Sequence, residues 1–165
     1  MQAQTYSHSH FNEMCEDIDV NDSNVDTFID TAFISICCTD ECRQYYLEDK
    51  TGHYFKQNHN NVLNIEFDDL TEDKEWNGYQ FKALTEEQAK QIVDFIDLNN
   101  SKKFYIHCTA GISRSGAVAT FIRDFYLTKE EQKVFDFNNP HIRPNNHVLT
   151  LLKRVYYKKN NMFTK

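Results

Sequence analysis

His107-Cys108-Thr109-Ala110-Gly111-Ile112-Ser113-Arg114-Ser115-Gly116 is the stretch that decides the fold. A short apolar run, Phe104-Tyr105-Ile106, leads into it, and a helix-compatible run from Ala117 to Leu127 leaves it. Strand, tight loop and helix in that order aim several backbone N–H groups, and the positive end of a helix dipole, at one spot. Gly111 permits a backbone conformation, and a closeness to an anion, that a side chain forbids. Arg114 adds a planar fork of donors matched to two phosphate oxygens. The same field favours the thiolate of a cysteine at the base of the loop. A thiolate facing a bound phosphate is a nucleophile for phosphoryl transfer. The plain alternative is a buried cysteine on a strand and an arginine on a helix surface. It requires His, Cys, Gly, Arg and Ser to fall at these spacings by accident.

In these residues the chain resembles the cysteine-dependent protein phosphatases, whose loop reads His-Cys-x5-Arg-Ser/Thr, and among them the small dual-specificity branch. The likeness extends weakly from about Ala32 to about Arg154. It implies that Cys108 attacks phosphorus and forms a phosphocysteine, while Arg114 and the backbone of Thr109, Ala110, Gly111, Ile112 and Ser113 hold the phosphoryl oxygens. The Ser115 hydroxyl then helps the thiolate leave, and His107 organises the loop and is not a base. No cofactor and no metal is implied. The implied substrate is phosphorylated protein, on tyrosine and, through a shallow cleft, on serine and threonine as well.

Ester cleavage also needs a proton donor for the departing oxygen. The resemblance places an Asp after a strand upstream of the cysteine. In Asn64-Ile65-Glu66-Phe67-Asp68-Asp69, Ile65 and Phe67 alternate as in a half-buried strand, and matching these two to the apolar pair of the family's strand puts the acid at Asp69. Asp68 is the fallback. Asp73 is a third choice, nearer the family's spacing from the cysteine but without the strand pattern. The excess length sits in Thr71–Leu84, an insertion whose Trp76, Tyr79 and Phe81 serve either as local core, the favoured reading, or as a lid over an aryl phosphate.

Composition sets the outer bounds. With 165 residues, 40% of them hydrophobic and 14% aromatic, the chain suits one domain with a real core. A formal net charge of −7 argues against nucleic acid and acidic membrane as partners. No apolar stretch nears a bilayer-spanning length and no signal-peptide pattern is evident, so a cytoplasmic protein is expected. Five cysteines, at positions 15, 37, 38, 42 and 108, form no disulfide framework. Cys37-Cys38-x3-Cys42 is not a usual zinc spacing, and no Cys/His pair completes it. Ala32–Ile36 reads as a core strand ending at Cys37, on the rim expected for Cys108. Some relatives keep a resolving cysteine there, so a Cys37–Cys108 bridge under oxidation is one possible use of it, beside an inert thiol.

Along the chain, residues 1–26 read as a lead-in strand with a loop or as a loose arm. Strands are expected at 32–37, 62–67 and 103–107, with a short helix within 40–50. Thr85-Glu86-Glu87-Gln88 is a capping box opening a helix striped by Ala89, Ile92, Val93 and Ile96. Further helices are expected at 115–127, 129–137 and 147–158. Asn145 before the last serves either as its cap or, as in the phosphatases it resembles, as a support for the loop. This alternation predicts an α/β fold with a mainly parallel central sheet flanked by helices, and the loop at the carboxyl rim of a central strand. Two other phosphate-related readings stay open: a binding module without turnover, and a phosphatase for a non-protein phosphomonoester. Sulfur transfer or arsenate reduction is a weaker fit, because the rhodanese-type loop lacks this Gly-x2-Arg-Ser arrangement and such a chain would not need an upstream Asp.

Overall fold

The computed structural model describes residues 1–46 and 52–162. Its centre is a four-stranded sheet in the order β1-β6-β2-β3, formed by Gln2–Tyr6, Lys103–His107, Thr31–Cys37 and Val62–Glu66, with every pairing parallel. Strand β2 is buried along nearly its whole length, as a strand covered on both faces must be. Its odd and even residues go to different cores. Ala32, Ile34 and Ile36 join Leu63, Ile65, Phe104 and Ile106 against α3 (Glu86–Leu98), α4 (Arg114–Tyr126) and α6 (Asn146–Lys159). Phe33 points the other way, into a smaller core of Phe11, Cys15, Phe55 and Val62 beneath α1 (His8–Asp17). The expected α/β fold with a parallel central sheet is therefore the fold observed.

Residues 1–26 are not a loose arm. They form edge strand β1, helix α1 and a turn of 3-10 helix, and they bury Ala3, Phe11, Cys15 and Val25. What fixes them lies far along the chain. Asn139, just beyond α5 (Lys129–Asn138), accepts from the Thr5 backbone N–H at 3.0 Å and donates to Ala3 O at 3.1 Å. The outer edge of the sheet is thus closed by a side chain instead of being left open to another strand.

Helix α3 starts with the capping box read from the sequence, with Thr85 and Gln88 each satisfying the other's backbone N–H. The short helix expected within 40–50 is α2 (Asp40–Tyr46), and the remainder of that stretch lies outside the described residues. The insertion after β3 folds as a two-stranded hairpin, β4 (Lys74–Trp76) and β5 (Tyr79–Phe81). Its turn is Asn77-Gly78, both at positive φ, the pairing that two-residue hairpin turns demand. Phe81 is buried and meets the ring of Tyr45 on α2 at 5.4 Å, whereas Trp76 is 62% exposed. The hairpin aromatics are thus split: Phe81 makes local core, and Trp76 does not.

Candidate active site

Parallel pairing brings the carboxyl ends of all four strands to one rim, so the segments after Tyr6, Cys37, Glu66 and His107 face one another. The loop from Cys108 to Ser113 closes onto the first turn of α4. Three of its carbonyls are tied outward: Thr109 O accepts from His8 N at 3.1 Å, Ile112 O from Arg143 N at 3.0 Å, and Ser113 O from Asn145 N at 3.1 Å. In a trans peptide the following N–H points the opposite way, so Ala110, Ser113 and Arg114 aim theirs into the hollow of the loop. Gly111 sits at φ +75°, where a Cβ would lie 2.5 Å from Tyr6 C and 2.6 Å from Ser7 N. Only glycine allows the loop to approach the β1–α1 turn this closely.

Cys108 is buried at the floor of the loop, with Sγ 3.2 Å from Ser115 Oγ. Arg114 is buried too. Its Nη1 donates to Phe67 O at 2.7 Å and its Nη2 to Thr109 Oγ1 at 2.8 Å, while its Nε has no partner among the described residues. Burial alone works against the guanidinium charge, but the Cys38 and Cys108 sulfurs outweigh it, and the pKa moves up. Ser113 makes no side-chain cap for α4. The hollow therefore collects uncapped helix N–H groups and a buried cation with a spare donor, all in need of an acceptor.

His107 Nε2 lies 2.7 Å from Ser35 Oγ, and the same hydroxyl lies 2.7 Å from His53 Nδ1. Burial first, then the neighbouring His8 charge, pushes the His107 pKa down to about 3. A neutral, fully enclosed imidazole fits the organising role expected of it.

The three candidate acids separate clearly. Asp68 is buried and occupied: its carboxylate accepts from Thr39 N at 3.0 Å, Thr39 Oγ1 at 2.8 Å and Lys82 N at 2.8 Å. It staples the acid loop to the β2–α2 connection and to the hairpin. Asp73 is on the outside, held by Lys82 Nζ at 3.1 Å and Ala83 N at 3.0 Å. Asp69 is exposed at the mouth of the hollow, where its Oδ1 accepts from Ser113 Oγ at 2.8 Å and Asn145 Nδ2 at 2.7 Å. Asn145 does both things suggested for it, because its Oδ1 also caps α6 by accepting from His147 and Val148 N–H.

Cys37 is not where a bridge to Cys108 needs it. Cys108 packs in the same core as Ile34 and Ile36. Side chains alternate along β2, so Cys37 turns to the opposite face, with Sγ 3.3 Å from His53 Nδ1 and 4.0 Å from Ser35 Oγ. The next residue faces the hollow instead. Cys38 Sγ lies 3.4 Å from Arg114 Nη2 and 3.7 Å from Thr109 Oγ1. A hydrogen bond from Cys42, reinforced by the Arg114 charge, lowers the Cys38 pKa, while Cys42 is pushed up as the donor. Sequence reasoning missed this role of Cys38, whose single signal is its position one residue past a strand end.

Above the hollow opens a pocket of about 330 Å³ whose walls include Cys38, Tyr46, Asp69, Leu70, Phe81 and Arg114. Arg43 is the other cation on it, and its guanidinium is already committed to Cys38 O, Asp40 and Glu66.

No family model and no curated protein sequence matches the chain. Solved structures do. A crystal structure of PTPMT1 in complex with PI(5)P matches at a TM-score of 0.50 and 13% identity, over 99% of this chain and 95% of that one. The PTP-2 phosphatase of Cydia pomonella matches at 0.49 and 17%, over 93% and 85%. A human tyrosine phosphatase-like serine/threonine/tyrosine-interacting protein matches at 0.45 and 18%, over 86% and 87%. At 13% identity the likeness to PTPMT1 concerns the fold alone, and in fold the chain is similar to that phosphatase.

Proposed function

We propose that the chain is a cysteine-dependent phosphomonoester hydrolase acting on phosphorylated protein in the cytoplasm. The observation that carries this reading is the unmet demand for an anion beside a thiol: Arg114 Nε is buried without a partner among the described residues, next to a helix start without a side-chain cap and to Cys108. Bound there, a phosphoryl group would take its hydrogen bonds from Arg114 and from the loop N–H groups. The Cys108 thiolate attacks phosphorus as the P–O bond to the leaving alcohol breaks, and the Asp69 carboxyl gives that oxygen its proton. Water then attacks the phosphocysteine and loses a proton to the Asp69 carboxylate. The S–P bond breaks and sulfur leaves as a thiolate, accepting from the Ser115 hydroxyl 3.2 Å away.

A protein substrate is favoured over a polyphosphorylated lipid headgroup by the pocket wall. Its apolar lining is Tyr46, Leu70 and Phe81, its acids are Asp68 and Asp69, and Arg43 is already neutralised by its own partners. Thr109, Ala110, Ile112 and Ser113 add no charge to the loop. Apolar and aromatic walls suit a phosphotyrosine ring, and an open mouth would also admit phosphoserine and phosphothreonine.

Para-nitrophenyl phosphate turnover tests the reaction. Cys108→Ser should abolish it while leaving phosphate binding, and Asp69→Asn should slow release of poor leaving groups most. A Cys108→Ser protein with undiminished turnover refutes the mechanism, and an Asp69→Asn protein with unchanged rate and pH profile refutes the acid. Phosphopeptides assayed beside phosphoinositides decide the substrate class.

A further inference from the structure

Next to the hollow, the structure gathers three soft or anionic donors that the proposed reaction does not use as reactants. Cys38 follows β2, Cys42 lies on α2 and Asp68 follows β3, yet one ligand atom from each lies within 4.8 Å of the others. We propose that Cys38, Cys42 and Asp68 form a binding site for a thiophilic divalent cation of the zinc class, placed so that its occupation inhibits the adjoining hollow.

Four features support the site. First, the separations are close to what coordination needs. Zn–S bonds of about 2.3 Å and Zn–O bonds of about 2.0–2.2 Å place tetrahedral donors about 3.5–3.8 Å apart. Rotation of the two cysteine side chains by about 1 Å at sulfur would close the present arrangement. Second, Asp68 comes with its own supporting shell. Thr39 N, Thr39 Oγ1 and Lys82 N hold its carboxylate in place, the kind of outer contact that orients a metal ligand in advance. Third, the charges balance. Two thiolates and a carboxylate bring three negative charges, which a divalent cation and the Arg114 guanidinium, 3.4 Å from Cys38 Sγ, together offset. Fourth, all three donors line the pocket above the hollow. A fourth position therefore faces that pocket, for water or for an oxygen of a bound anion. Binding releases the thiol protons to solvent and forms two M–S bonds and one M–O bond, with no change of oxidation state. Because Cys38 Sγ also contacts Arg114, the ion ties down the neighbour of the phosphate clamp and narrows the approach to Cys108.

The sequence alone could not show this site, because the spacing Cys-x3-Cys lacks a Cys/His completion and the third donor is a carboxylate from the loop after β3. The inhibitory half of the proposal rests on the phosphatase reading, whereas the binding half does not. The first experiment therefore uses the full chain carrying Cys108→Ser, kept reduced, and titrates it with Co²⁺. An absorption band of thiolate-to-cobalt charge transfer should grow to one equivalent, disappear on adding Zn²⁺, and be lost in Cys42→Ala and strongly weakened in Asp68→Asn. A protein showing no such band, or a band of equal strength in a Cys42→Ala variant whose circular dichroism is unchanged, overturns the site. The second experiment measures para-nitrophenyl phosphate turnover against Zn²⁺, each protein normalised to its own metal-free rate. Zn²⁺ should inhibit, EDTA should restore the rate, and Cys42→Ala should raise the concentration for half-inhibition at least tenfold. Equal inhibition of both proteins overturns the regulatory claim. If the cobalt band behaves as expected but no phosphoester is ever turned over, the phosphatase reading fails and the metal site stands.

Discussion

His107 offers a test of the site that needs no substrate. It stands at the end of β6, fully buried, with Nε2 on Ser35 Oγ, and burial holds its pKa down to about 3. In the unfolded chain an imidazole titrates near 6.5. The unfolded state therefore binds the proton more readily, and stability is complete above pH 6.5 and is lost as pH falls from there toward 3. Between pH 8 and pH 5 this single group should remove about 2 kcal/mol, equivalent to about 4–8 °C in Tm for a chain of this size. His53, lowered to about 4 chiefly by burial, acts in the same direction and window, so the slope alone does not assign the effect. Urea denaturation at pH 8, 6.5 and 5 should therefore be run on the native chain and on His107→Gln, where the amide can still reach Ser35. The native protein should lose about 2 kcal/mol more than the variant over that range. NMR titration of the imidazole should show no protonation of His107 above pH 5. Parallel stability curves, or an imidazole at position 107 that titrates near 6.5 in the folded protein, would refute the reasoning.

Three further outcomes follow from the geometry. Gly111→Ala forces a side chain onto φ +75° and within 2.6 Å of the Tyr6 and Ser7 backbone. It should cost roughly 2–4 kcal/mol by overpacking and left-handed strain, and phosphate binding measured by calorimetry on Cys108→Ser should be lost even where the fold survives. Asn145→Ala removes both the α6 cap and a hydrogen bond to Asp69. A loss of about 1 kcal/mol in thermal unfolding is expected from the cap, with a several-fold fall in kcat confined to substrates with poor leaving groups. Asn139→Ala leaves Ala3 O and Thr5 N without their partner in a buried place. It should cost roughly 2–4 kcal/mol, and hydrogen exchange should show β1 opening before the rest of the sheet.

What could be read from the sequence, and what could not, divides by the range of the interaction. Strand β6, the loop and α4 announce themselves because each is specified locally: an apolar run, a glycine where φ must be positive, a helix start beside Arg114. The Thr85 box is equally local, and its two reciprocal hydrogen bonds form as read. The N-terminal 26 residues look featureless because their order is conferred from outside, by pairing with β6 and by Asn139 more than a hundred positions away. The two adjacent acids show the same limit on a finer scale. Asp68 and Asp69 differ by one position, and in an extended segment one position reverses the direction of the side chain. Asp68 is turned inward onto Thr39 and Lys82, and Asp69 outward to Ser113 and Asn145.

Cys37 and Cys38 repeat that lesson with more consequence. A strand assigned correctly to the rim still leaves open which of two neighbouring thiols faces the hollow, because that depends on the phase of the strand against its partners. The register pairs Ser35 with His107 and therefore commits Ser35 and Cys37 to the histidine side of the sheet. Only then is Cys38, at the point where the strand breaks off, free to turn toward Arg114. The thiol that matters to the site is thus selected by the hydrogen-bond register of β2 with β6. A one-residue slip of that register would exchange the roles of the two cysteines and take Cys38 away from both Arg114 and Asp68.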